Sequence, residues 1–230
     1  MGDPAGIGPE ICLRLLAQPT IHELCVPIVL GDAQLMRRVA KSLGLEMPFC
    51  VFSHEDWAMS SEDYPAAVCD LSAIDATSVQ PGIVDENTGK ASYCYIQQSI
   101  AAALSGRVDA VTTGPIHKAA LSAAGVPYPG HTEIFAAQSG SARVCMMLTC
   151  PEITCSFVTA HTAYRDVPKL LSVDRILEVI ELSHEAIWQI HDKRAKLTVC
   201  GLNPHAGENG LFGDSEEERL IAPAVRAAQS

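Results

Sequence analysis

The chain has 230 residues, 48% hydrophobic and 19% charged, which excludes a largely disordered protein and supplies apolar material for one large or two small cores. Its formal net charge is −11 and its 16 basic residues are dispersed, which argues against a nucleic-acid surface, because that needs clustered Lys and Arg. No apolar run approaches the roughly 20 residues that span a bilayer, and the opening residues lack the charged and apolar regions of a signal peptide.

In chain order, the first feature is a loop, Met1-Gly2-Asp3-Pro4-Ala5-Gly6-Ile7-Gly8-Pro9-Glu10, with no strand before it. Pro9 suits the first turn of a helix and Glu10 its positive end, predicting a helix from Pro9 to Ala17. In outline the glycines resemble a phosphate cradle, where free N–H groups and a helix dipole favour anions. The detail matches no named motif, since the Lys of a P-loop and the third glycine of the Rossmann fingerprint are both missing. A tight structural turn is the alternative.

A strand is expected from Val26 to Leu30, then a helix from Ala33 to Leu43 closed by Gly44. Residues 51–81 mix strand and turn signals in no clear order. Apolar spacing then predicts a helix from Gly89 to Leu104, ended by Gly106. Asp109 to Thr113 reads as a strand running through Gly114-Pro115-Ile116-His117-Lys118 into a helix that lasts to Ala124. This alternation is the α/β rhythm.

Gly130-His131-Thr132-Glu133 follows, with a helix expected to begin near Glu133. His131 and Thr132 there offer a titratable ring and a hydroxyl to an anionic or hydroxylated ligand. The alternative is a plain helix cap by Thr132. Val144 to Leu148 and Ile153 to Ala160 are expected to be strands joined at Pro151, and the second leads into His161. The nine cysteines contain no CxxC pair, which fits a reduced cytoplasmic interior.

Ser172 is expected to cap a long helix with one broad apolar face. After it, Leu197-Thr198-Val199-Cys200 reads as a strand buried on both faces, ending in Gly201-Leu202-Asn203-Pro204-His205-Ala206-Gly207-Glu208. A last helix starts at Ser215 and restarts at Pro223. His161 and His205 thus stand at two strand ends separated by one helix, where open parallel sheets bind ligands. Imidazole is the commonest metal ligand, and two with a third donor would build an open divalent-metal site. Two polar loop residues are the alternative reading. Lys118 could lend charge to a substrate, or lie on the surface as an ordinary helix-start lysine. Arg165 and Asp166 could orient ligands or pair on the surface. Nucleophilic catalysis has only weak support, as no GxSxG elbow occurs and none of the nine cysteines has an obvious local base.

Together these segments resemble the 4-hydroxythreonine-4-phosphate dehydrogenase family of the pyridoxal phosphate pathway. The resemblance covers almost the whole chain and rests on Met1 to Glu10, Thr113 to Lys118, Gly130 to Glu133, His161 with Arg165-Asp166-Val167, and Gly201 to Glu208, in the family's order. It implies a three-layer α/β/α architecture like that of isopropylmalate and isocitrate dehydrogenases, with two subdomains, here 1–112 and 113–230. It implies substrate contacts from His131 and Thr132, with Asp3 and Lys118 as further possible substrate or phosphate contacts. It also makes His161 and His205 two of three histidine ligands to a divalent metal such as Zn, Mg, Mn or Co. No catalytic acid or base is assigned.

The implied reaction is NAD- or NADP-dependent oxidation of a small phosphorylated hydroxy acid, 4-phosphooxy-threonine, to a 3-oxo acid that loses carbon dioxide, carried out by a cytoplasmic homodimer. Dehydrogenation of a related four-carbon sugar-acid phosphate, threonate or erythronate phosphate, is the alternative within the class. A non-catalytic phosphate-ligand-binding fragment is the alternative outside it. The family's leading strand and its third metal histidine, in a Tyr-His-Asp-Gln-Gly context, have no counterpart here. Truncation at both ends is therefore expected, with little dehydrogenase activity from these residues alone.

Overall fold

A computed structural model describes residues 1–45, 50–59, 65–192, 194 and 196–229. Its contacts divide into two compact units, Met1–Gly140 and Ser141–Ser230. The expected boundary after Thr112 falls inside the first unit, because the long helix before it packs against the two helices after it.

In the first unit, α1 (Gly8–Leu16) and the short α2 (Pro19–His22) lead to β1 (Ile28–Gly31), α3 (Ala33–Leu43), β2 (Cys50–Ser53), α4 (His54–Met59) and β3 (Ala67–Asp70). Then come α5 (Glu86–Leu104), α6 (Lys118–Ala123) and α7 (His131–Ser139). The strands form a parallel sheet in the order β1-β3-β2, with Val29 opposite Val68 and Leu30 opposite Cys69. Successive strand residues face opposite sides, and the core follows that rule. Val29 and Val68 pack with Leu13, Leu16 and Met36 of α1 and α3, whereas Leu30 and Cys69 pack with Trp57 of α4 and Ala102 of α5. The result is the three-layer α/β/α arrangement expected from the sequence. A further cluster joins α5 to α6 and α7 through Ile96, Ile100, Leu121 and Ile134.

Helix α3 has the expected bounds, and Gly44 closes it in the left-handed conformation. Helix α5 starts three residues before the expected Gly89, because Asp85 caps it by accepting the Asn87 N–H at 2.8 Å. The expected strand Asp109–Thr113 is not formed: Asp109 lies in a bend and these residues join no sheet among the described residues. Of the stretch 51–81, residues 60–64 lie outside the described residues.

The second unit begins with an antiparallel hairpin of β4 (Met146–Thr149) and β5 (Thr154–Phe157), in which Met147 opposes Ser156. The Cys150 N–H closes its turn on the Ile153 carbonyl at 2.9 Å. A 3-10 turn (Tyr164–Asp166) and α8 (Val167–Leu170) precede α9 (Val173–His191), which Ser172 caps as expected by accepting the Arg175 N–H. The unit ends in a 3-10 turn (Pro204–Gly207), a π-helical turn (Glu217–Ile221) and α10 (Ala222–Ala228), which packs on α9. Leu197–Cys200 is not the doubly buried strand expected. It has no ladder partner among the described residues, and its side chains alternate between half-buried and exposed. All nine cysteines are unbridged, and no helix among the described residues is long and apolar enough to cross a membrane.

Candidate functional site

Three loops of the first unit meet beyond the carboxyl end of β1. The Met1 amino group donates to the Leu30 carbonyl at 2.9 Å, and the Asp3 N–H donates to the Pro115 carbonyl at 2.8 Å. Gly2 and Gly114 allow this backbone contact. A Cβ on Gly2 would collide with the Pro115 carbonyl, and one on Gly114 would come within 2.5 Å of the Met1 carbonyl. Asp3 is buried, and its Oδ1 accepts the Ala5 N–H at 2.9 Å while its carbonyl accepts the Gly6 N–H. Its carboxylate therefore shapes the loop from within. The Ala5 and Gly6 amides are used within the loop and the Asp3 amide on Pro115, which supports the tight-turn reading for these three residues.

The third loop delivers Gly130, 3.9 Å from the Lys118 side chain when a Cβ is placed on it. His131 is the first residue of α7 and Gly130 is its N-cap, so Thr132 lies inside the first turn and makes no cap bond. The plain-cap reading of Thr132 falls. His131 is half-buried and Thr132 exposed. Burial, and then the Met1 amino charge, hold the His131 ring below the ordinary histidine value, so it is a neutral donor or acceptor near neutral pH. Lys118 is exposed at the first position of α6. His131, Thr132 and Lys118 together offer a neutral ring, a hydroxyl and an ammonium, a set suited to a phosphorylated hydroxy acid.

In the second unit, His161 and His205 are both exposed, and both adopt left-handed backbone, at φ 55° and 53°. His161 lies four residues beyond β5. His205 sits in the Pro204–Gly207 turn with its ring centroid 6.5 Å from that of Phe212. Two accessible imidazoles are the right donors for a divalent ion. No group of three or more His, Cys, Asp or Glu side chains that could hold one is found among the described residues. Each ring is thus an accessible single donor. Arg165 and Asp166 pair with each other at 3.6 Å on the surface, and Lys169 also contacts Asp166 at 2.6 Å.

The acid residues around His205 were not anticipated from the sequence. Glu217 Oε1 accepts the Leu202 and Asn203 N–H groups at 3.0 and 2.7 Å, and its Oε2 accepts Asn203 Nδ2 at 3.2 Å. Glu216 Oε2 accepts Asn203 Nδ2 at 3.0 Å and the Asp214 N–H at 2.8 Å. Backbone hydrogen bonds hold both carboxyls below the usual carboxylate range. The available signal was Gly207, Gly210 and Gly213, spaced three apart just before Glu216.

Comparison with known proteins gives the family. The model of the pyridoxal phosphate biosynthetic protein PdxA matches residues 23–230. The chain belongs to the PdxA family. A putative D-threonate 4-phosphate dehydrogenase of Symbiobacterium thermophilum is 42% identical over 233 residues, covering 100% of this chain and 68% of the relative. A 4-hydroxythreonine-4-phosphate dehydrogenase of Geobacter metallireducens is 38% identical, covering 100% of this chain and 67% of its own. Among solved PdxA-like structures, that of the Klebsiella pneumoniae 4-hydroxythreonine-4-phosphate dehydrogenase aligns with a TM-score of 0.86 at 35% identity, over 100% of this chain and 69% of that one. The chain is an oxidoreductase of the PdxA family that spans about two thirds of these relatives' length.

Proposed function

We propose that the chain serves the oxidation of a four-carbon hydroxy acid carrying a 4-phosphate, with NAD or NADP as hydride acceptor and a divalent metal held by His161 and His205. The observation that carries this reading is the pair of exposed, left-handed histidines following the β5 and Leu197–Cys200 segments. A bound ion would supply Lewis-acid polarisation of the substrate's hydroxyl. His131 and Thr132 would bind the acid's polar groups from the first turn of α7, where N–H groups point outward. Lys118 would add charge to the phosphate. Asp3 is assigned to loop closure, since an added anion beside a phosphate would weaken binding.

Two substrates suit this chemistry. With 4-phosphooxy-threonine, the 3-oxo acid formed would lose carbon dioxide and enter pyridoxal phosphate synthesis, in keeping with the family's description. D-threonate 4-phosphate is the second reading, favoured by the name of a 42% identical relative. A cytoplasmic homodimer remains part of the proposal.

Titration of the chain with Co2+ tests the metal assignment. His161→Ala and His205→Ala are each expected to weaken binding by at least about tenfold, the scale of one lost donor bond to a charged centre. Unchanged affinity in both variants would remove the assignment.

A further inference from the structure

We propose that Glu217 is a positioning residue for His205: its buried carboxylate holds the turn that presents the imidazole. This rests on the metal reading of His205 given above.

The turn is uphill on its own. His205, Ala206, Glu208 and Asn209 all have positive φ, a conformation that opposes Cβ against the following carbonyl in any residue but glycine. Such backbone persists only where the surroundings over-determine it. The surroundings here are two carboxylates. Glu217 receives the N–H groups of Leu202 and Asn203 just before the turn, and Glu216 receives the Asp214 N–H after it. Asn203 Nδ2 reaches both acids. The loop is therefore clasped at its two ends. A π-helical turn, Glu217–Ile221, carries the clasp; π-turns widen the helix locally and recur at functional sites.

The middle of the loop is fitted to the same carboxylate. A Cβ on Gly207, at φ 78°, would come within 2.7 Å of Glu217 Oε2. Glu217 itself is not a ligand candidate, because it is buried and both of its oxygens already accept N–H groups. Its effect must pass through the backbone to the ring two residues beyond Asn203. Partners that orient a ligand in this way affect metal affinity without touching the ion.

The test is Zn2+ titration of the full 230-residue chain as wild type, Glu217→Ala, Glu217→Gln and His205→Ala, with amide hydrogen exchange and the His161 and His205 ring NMR signals recorded before metal is added. Glu217→Ala is expected to weaken Zn2+ binding by about tenfold, speed exchange of the Leu202 and Asn203 amides, and displace the His205 ring signals while leaving those of His161 in place. Glu217→Gln keeps one acceptor oxygen but sets an NH2 against Asn203 Nδ2, so it should fall between wild type and the alanine variant. It also carries the test if Glu217→Ala fails to fold. Loss of affinity in His205→Ala with wild-type affinity and exchange in either Glu217 variant would overturn the positioning role and leave the metal reading standing. Unchanged affinity in His205→Ala would remove His205 from the metal reading and overturn this inference with it.

Discussion

At the residue scale, the two kinds of histidine differ in what surrounds them. His131 is half-buried and feels the Met1 amino charge, whereas His161 and His205 are exposed in left-handed turns. Burial, then positive charge, favours the neutral His131 ring in the folded chain, so the unfolded chain binds that proton more readily. The stability this group contributes is present above the ordinary value of 6.5 and is lost as pH falls through its lower folded value. Ring-proton NMR should give a His131 midpoint below 6.5, and a midpoint at or above it contradicts the account. The sequence singles out His161 and His205 because each follows an apolar run into turn-forming residues, and His131 because it stands between a Gly/Pro turn and a helix start. Glu217 was not legible there. An acidic residue at a helix start suits the helix dipole whether or not it bonds elsewhere, so its hold on Asn203, 14 residues back, left no local trace.

At the element scale, capping chemistry was the most readable signal. Gly44 and Ser172 end and begin α3 and α9 where expected, because a cap is a bond between near neighbours. Strands were less so. Asp109–Thr113 and Leu197–Cys200 have strand-like sequences, but a strand exists only through a partner's hydrogen bonds, and composition cannot supply one. The packed elements yield two stability predictions. Leu121 is fully buried between α5, α6 and α7, so Leu121→Ala should cost about 2–5 kcal/mol in urea denaturation. Gly207→Ala adds a Cβ at positive φ against Glu217, for an expected loss of about 1–3 kcal/mol. A neutral result at Gly207 would show that the turn yields easily, against the clasp described above.

At the scale of the whole molecule, a net charge of −11 means that an anionic substrate must be held by local donors rather than by a general field. Lys118, His131 and Thr132 are the donors proposed for this, and they lie in segments whose order along the chain already resembled the PdxA family. The measurement that tests this most directly is calorimetric titration with 4-phosphooxy-threonine, D-threonate 4-phosphate and unphosphorylated D-threonate, for wild type and for His131→Ala and Thr132→Ala. The account predicts binding of at least one phosphorylated acid, none of the unphosphorylated one, and a loss of roughly tenfold or more in each variant. Equal binding of phosphorylated and unphosphorylated acids, or affinities indifferent to both substitutions, would contradict it.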